Sequence, residues 1–343
     1  MLIPFTIDPD IFLTPTVNLD CLKRHEDLII LWGLIGQLVI PADKESESKL
    51  LLAINKSPEK VRVRWVNAFK NYRKRCCAPL FGDALSADIA LENESVCDGV
   101  RLASLDETRG VLWGLGDEQF SKLVARSLEI CRFGHENTTD VVKHALALAS
   151  RPIAANESTD VVWRQRFRDL AAVSRVVTVV DRYAIKGFLR ARNPEISGLE
   201  RLILNLAALD APGKKVVHIY SAYSSAWKLY GAEFSFDSAC QQIFKQVENF
   251  CKPLIGKIIF EVNIHIAADQ SFGEVAHYRY VLFDDKNLIQ LDTGLEALSG
   301  NTVKRTCVVK LVRWHSEEAN DFKDNEKKLK NVVAHSQKIL CQP

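Results

Sequence analysis

The stretch that decides how this chain is read is His277-Tyr278-Arg279-Tyr280-Val281-Leu282-Phe283-Asp284. Tyr280 to Phe283 is a run of strand-forming residues, and it predicts a strand. Side chains alternate faces along a strand, so His277 and Arg279 fall on the same side. An imidazole and a guanidinium then share one pocket wall, with Asp284 at the strand end. Attack on a phosphodiester calls for such a set: a nitrogen nucleophile, a fixed cation for the phosphoryl oxygens and a carboxylate to hold the geometry. An unperturbed imidazole titrates near ~6.5, so a neutral nucleophile is available near neutral pH.

Working outward, Arg175 to Val180 is a β-branched strand that runs into Asp181-Arg182-Tyr183. Ser197-Gly198-Leu199-Glu200 opens a helix carrying Leu199, Leu202, Ile203, Leu206 and Leu209. Lys215 to Ser221 reads as a strand and Phe236 to Phe250 as a helix. Lys257 to Ile266 is again a strand, with Ile258, Phe260, Val262 and Ile264 on one face. After the motif strand, Leu288 to Leu291 and Val303 to Val312 complete a β-α-β-α-β-β-β order.

With that order in hand, the H-x-R-x4-D spacing resembles the H-x-K-x4-D signature of the phospholipase D superfamily. The Asp181-Arg182-Tyr183 segment and Asp292-Thr293-Gly294-Leu295 are similar to the phospholipase D-like domain at the C-terminus of some MIT-domain proteins. The resemblance covers roughly the second half of the chain. It implies an α/β fold, with a C-terminal phospholipase D-like α-β-α half-domain over about 170–343. It further implies His277, Arg279 and Asp284 as catalytic residues, Asp181, Ser299 and Asn301 as supporting ones, and neither metal nor cofactor.

Two departures keep two activities open. Arg279 stands where the family has lysine, and a planar fork of donors is not equivalent to a point charge. The family's glycine-serine-x-asparagine element is represented only by Gly294 and the Ser299-Gly300-Asn301 turn. The first activity is a metal-independent phosphodiesterase acting on nucleic acid, with bacterial anti-phage defence as a context by analogy. The second is an inactive interaction module for a phosphorylated or acidic partner. One motif copy cannot supply both histidines of the family's reaction, so an enzyme is expected to be a homodimer paired through the C-terminal domain.

The first ~165 residues read as an α-rich mixed domain that binds nucleic acid or a partner. A short strand at Phe5 to Ile7 leads into Asp8-Pro9-Asp10. Helices are expected over Leu22 to Leu34, Pro58 to about Arg75, Asp117 to Ile130, Asn137 to Ala149 and Asp160 to Val173. Gln37 to Ile40 is a further strand, and Pro152 to Ser158 reads as the linker. Ser316 to Leu340 reads as one surface helix. Asp8 and Asp10 stand where PIN-type nucleases place a first metal-binding acid, but no full carboxylate set can be assigned and an Asp-Pro-Asp turn explains them.

Seven cations, Lys60, Arg62, Arg64, Lys70, Arg73, Lys74 and Arg75, are interleaved with Trp65, Phe69 and Tyr72. The helical spacing assigns the aromatics to the core and leaves the cations as a phosphate-contacting stripe. Arg62, Arg64, Lys70, Arg73, Lys74 and Arg75 are the candidate nucleic-acid contacts. The net charge is only +2 on 343 residues, so any nucleic-acid surface has to be local. Nine cysteines without a C-x-x-C pair argue against a disulfide framework and against structural zinc. The longest apolar stretch, Leu28 to Ile40, is broken by Gly33, Gly36 and Gln37 and is shorter than a membrane span. Without a signal-peptide pattern at the N-terminus, a soluble cytoplasmic protein is expected.

Overall fold

The computed structural model describes the chain except residues 14–17, 42–43, 78–99, 109–123, 126–127, 192–194, 210–213, 225–233, 255–259, 277, 285–286, 313–315 and 342–343. The fold is mixed α/β, with two separate sheets. The chain divides into two compact units, Leu2–Ala147 and Leu148–Pro343, the latter with Met1.

The first unit is built on a sheet of six strands: β1 (Ile3–Ile7), β2 (Gly36–Pro41), β3 (Lys74–Cys77), β4 (Leu102–Leu105), β5 (Val124–Ala125) and β6 (Leu128–Arg132). Their order is β3-β2-β1-β4-β6-β5, parallel throughout except for the β5–β6 pair. Helices Leu19–Leu34, Lys44–Lys56 and Glu59–Asn71 accompany the sheet in this mixed unit, which has more strands than the few expected. Parallel strands are covered on both faces, so they read as short continuous apolar runs and carry no alternation to betray them. All four residues of β4 are buried.

Two expected helices give way to this sheet. The helix expected to reach Arg75 spans Glu59–Asn71 and stops where Tyr72 turns extended (φ −97°, ψ 170°). The chain then enters β3, pairing with β2. Of the helix expected over Asp117 to Ile130, the described residues from Val124 onward belong to the antiparallel strands β5 and β6.

Helices Leu19–Leu34 and Glu59–Asn71 carry the aromatic core of this unit. Trp32 and Trp65 are fully buried, 5.9 Å apart between ring centroids. Trp65 Nε1 donates to His25 Nδ1 at 3.1 Å, and Phe12 and Phe133 flank the imidazole. Burial pushes the His25 pKa down to about 4. The folded value lies below the unfolded one of ~6.5, so unfolding takes up a proton between them, and the His25 contribution is complete above pH ~6.5 and lost as pH falls towards 4. Stability is therefore expected to drop by about 3 kcal/mol over that window. The check is urea unfolding of the parent and of His25→Gln, which should flatten the dependence between pH 4 and 6.5.

The second unit contains a seven-stranded mixed sheet. β7 (Val176–Val180), β8 (Lys215–Tyr223) and β9 (Phe260–Ala268) run parallel. β10 (Tyr280–Phe283), β11 (Asn287–Leu291) and β12 (Val309–Val312) extend the β7 side as successive antiparallel strands, and β13 (His335–Cys341) pairs antiparallel with β9. The order is β12-β11-β10-β7-β8-β9-β13. Helices Ala184–Arg190 and Gly198–Ala207 connect β7 to β8, and Phe236–Cys251 connects β8 to β9. Tyr220, Ala267, Tyr280, Leu282 and Leu288 form one core with Phe272, Phe322 and Leu329 from helices Asp269–Val275 and Glu317–Val332.

Three boundaries differ from the sequence reading. The tail is not one helix: Glu317–Val332, capped by the Ser316 side chain, is followed by β13. There Ile339 turns inward and Leu340 outward, and a seven-residue ladder to β9 satisfies the backbone. β12 begins at Val309, with Thr302 and Cys307 making only isolated bridges to Ser158 and Ile153. Those bridges tie residues 153 and 158, read as linker, into the second unit. The helical stretch from Thr159 to Val173 contains a π turn at Trp163–Phe167, where buried Arg166 donates to the carbonyls of Leu148 and Arg151.

Candidate functional site

The sheet register brings together residues far apart in sequence. β10 runs antiparallel to β7 with Tyr280 opposite Val180, so Arg279, just before β10, lies beside Asp181, just after β7. β11 lies on the other side of β10, with Gln290 opposite Tyr280, and delivers Asp292-Thr293-Gly294 to the same end.

Asp181 is fully buried, and its carboxylate is held by backbone donors: Oδ1 accepts from Tyr183 N at 2.9 Å and Oδ2 from Leu295 N at 2.8 Å. Burial raises its pKa, while the two N–H bonds and the nearby Arg279 charge oppose that rise. Gly294 closes the cradle at φ +65°; a Cβ there would stand 2.2 Å from Asp181 Oδ2 and 2.8 Å from Arg279 Cδ. Only glycine combines that φ with that approach.

Arg279 is half-buried. Its Nη1 donates to the Asp292 carbonyl at 3.0 Å, and its guanidinium lies 4.9 Å from the Tyr183 ring centroid. That is the one hydrogen bond of its side chain among the described residues, which leaves donors of the fork for a ligand. Lys186 Nζ and the Arg182 guanidinium approach the same ring at 5.4 and 5.7 Å. Arg182 is committed to Asp269 through two bonds of 2.8 and 2.9 Å, which hold the Asp269 carboxyl below its usual range. The cluster is thus a cation-rich rim around one tyrosine, suited to anions.

The other expected site residues are distributed differently. His277 lies outside the described residues. Asp284 sits at the opposite end of β10 from Arg279, roughly 15 Å along the strand at ~3.3 Å per residue. Its backbone is left-handed (φ 50°), and Oδ1 accepts from Arg175 N and Val176 N, both at 2.8 Å. It pins the start of β7. Ser299 donates to the Glu296 carbonyl at 2.8 Å, and Asn301 Oδ1 accepts from Arg201 at 3.3 Å, so both serve the loop after β11. Tyr183, Lys186 and Gly294 join the site only in the folded chain; Asp-Arg-Tyr and Asp-Thr-Gly are visible in sequence, but what makes them neighbours is the β7–β10–β11 register.

Beside this cluster lies a cleft of about 400 Å³, walled by Asp181, Tyr183, the helix Ala184–Arg190 and the Gly294–Leu298 turn. Gly198, at the start of the next helix, sits against that turn so closely that a Cβ would fall 1.7 Å from the Leu295 carbonyl oxygen.

In the first unit the cation stripe is divided. Arg62 and Lys70 are exposed, and Arg64 pairs with Glu26. Arg73 is structural: Nη2 donates to the carbonyls of Gly33 and Leu34 at 3.0 and 3.1 Å, ending the Leu19–Leu34 helix, and burial lowers its pKa to about 9. Lys74 bonds the Phe69 carbonyl and stands 4.2 Å over the Phe69 ring, and the Arg75 side chain lies outside the described residues. Arg73→Ala is therefore expected to cost about 2 kcal/mol of stability, seen as a lower unfolding midpoint in denaturant. Lys60, Arg62 and Lys70 replaced together by alanine should instead leave that midpoint in place. Were this stripe to contact duplex nucleic acid, the substitutions would flatten the salt dependence of that affinity by roughly 0.9 in log–log slope for each phosphate no longer neutralised. An unchanged slope removes this helix from any binding surface.

Asp8 is buried at the carboxyl end of β1, accepting from Asp10 N at 3.1 Å and Asp106 N at 3.4 Å. Glu136, also buried, accepts from Ser104 Oγ at 2.5 Å, and burial raises its pKa. Among the described residues no group of three or more His, Cys, Asp or Glu side chains is arranged to hold a metal ion. None of their helices is long and apolar enough to cross a membrane. No protein-family model matches the chain, and comparison with curated proteins finds no match.

Proposed function

We propose that the second unit is a phospholipase D-like module that acts on the phosphodiesters of nucleic acid without a metal. The observation that carries this reading is the Arg279 guanidinium, fixed by the Asp292 carbonyl and the Tyr183 ring with donors to spare, beside the Asp181–Gly294 cradle. A guanidinium so held is preorganised for the non-bridging oxygens of a phosphodiester. His277, two residues earlier, is the nucleophile. Its ring nitrogen bonds to phosphorus as the bond to the leaving oxygen breaks, and a second histidine protonates that oxygen. The second histidine, now neutral, takes a proton from a water that attacks the phosphohistidine, which breaks the P–N bond, frees the His277 imidazole and returns the second histidine to its protonated form. The second histidine comes from another copy of the chain, so the working form is a two-fold dimer through this unit. A monomer at micromolar concentration in sedimentation, unchanged by substrate, contradicts the two-histidine mechanism. The exposed Lys60, Arg62 and Lys70 favour nucleic acid as the substrate.

A second reading has its own support. Asp284 belongs to the far end of β10 and not to the cation cluster, and Arg279 replaces the usual lysine. On that reading the same clamp binds a phosphorylated or acidic partner without turnover. Incubation of the purified chain with DNA and RNA in excess EDTA separates the two: cleavage supports the enzyme, and its absence with retained phosphate binding supports the module.

A further inference from the structure

Resting on the phosphate clamp proposed above, the geometry points to the adjoining cleft as the subsite for the nucleoside attached to the clamped phosphate. Tyr183 connects the two: Arg279 approaches its ring, and the same residue lines the cleft. The cleft's volume of about 400 Å³ lies within the ~300–1,000 Å³ common for small-molecule sites. Its more buried lining is apolar, with Ala184, Ile196 and Leu295, and its exposed lining is charged, with Arg190, Glu195 and Lys304. A flat, largely apolar base with hydrogen-bonding edges and a hydroxyl-bearing sugar matches that division. On the exposed edge Glu195 pairs with Lys304 and Glu296 with Arg305, both at 3.1 Å, so donors and acceptors stand side by side there, as the edges of a base and a sugar require.

Gly187 supplies an independent observation. It sits inside the helix Ala184–Arg190, where glycine is among the least favourable residues. The usual reason for a helical glycine is close packing, yet a Cβ added here would meet nothing within 4 Å. The open space above it is the cleft it lines. The glycine keeps that lining flat.

The test uses the full chain and four probes: inorganic phosphate, glycerol 3-phosphate, 5′-AMP and 5′-CMP, measured by calorimetry. The parent should bind the two nucleotides at least tenfold more tightly than the two probes lacking a base. Gly187→Leu, which fits the helix and projects into the cleft, should erase most of that advantage while leaving inorganic phosphate affinity within twofold. Gly187→Ala should fold and bind phosphate like the parent. Nucleotides no tighter than glycerol 3-phosphate in the parent, or an advantage that survives Gly187→Leu, overturns the nucleoside subsite while the clamp stands. Phosphate binding that is absent in the parent, or unaffected by Arg279→Ala, overturns the clamp itself and with it the reading on which this subsite rests.

Discussion

Gly294→Ala is expected to destabilise the second unit by on the order of 3 kcal/mol, because it combines a left-handed backbone with a steric conflict. The new methyl group would meet Asp181 Oδ2 at 2.2 Å and Arg279 Cδ at 2.8 Å, so it disturbs the carboxylate cradle and the clamp together. Moving Asp181 would strip its bonds from Tyr183 N and Leu295 N and leave buried donors unpaired. Denaturant unfolding should show a lower midpoint, and phosphate binding should fall with it even where the fold survives. A variant as stable as the parent with intact phosphate affinity would mean that this loop does not position Arg279.

The largest functional effect is expected from Arg279. Arg279→Ala removes the fork and should abolish both phosphate affinity and any cleavage, with little loss of stability, because the one described hydrogen bond of its side chain goes to a loop carbonyl. Arg279→Lys separates the two readings. In a pocket shaped for a planar fork, lysine loses bidentate geometry and lowers activity; in a decayed site of the kind the resemblance implies, the lysine of the phospholipase D signature raises it. The comparison is of initial cleavage rates for parent, Arg279→Ala and Arg279→Lys at one salt concentration, and equal rates for all three would remove Arg279 from the chemistry.

The second unit is legible in sequence to different depths. β7, β8 and β10 announce themselves through β-branched and aromatic runs, β11 through its short apolar run, and the Ser197–Glu200 capping box marks its helix as expected. β13 escapes because a charged helix precedes it without a strong break, and its strand character comes from the ladder to β9. The first unit is harder. A parallel sheet with residues such as Leu102-Ala103-Ser104-Leu105 offers neither alternation nor length, and its order depends on tertiary pairing. The site divides in the same way. Arg279 is visible from its motif. Arg73 looks like one more surface cation, because nothing in its neighbours reveals that it ends a helix about forty residues earlier. Asp284 is grouped with Arg279 by sequence spacing, whereas the strand between them places the two at opposite ends.

On the proposed function, the Arg279 end of β10 is where phosphodiesters are engaged and cut by a histidine nucleophile. Cleavage of DNA and RNA by the full chain in excess EDTA, compared between the parent and His277→Ala, tests it most directly. Metal-independent cleavage is expected of the parent and none of His277→Ala, with phosphate binding retained because Arg279 remains. A His277→Ala variant that cuts as fast as the parent would contradict it.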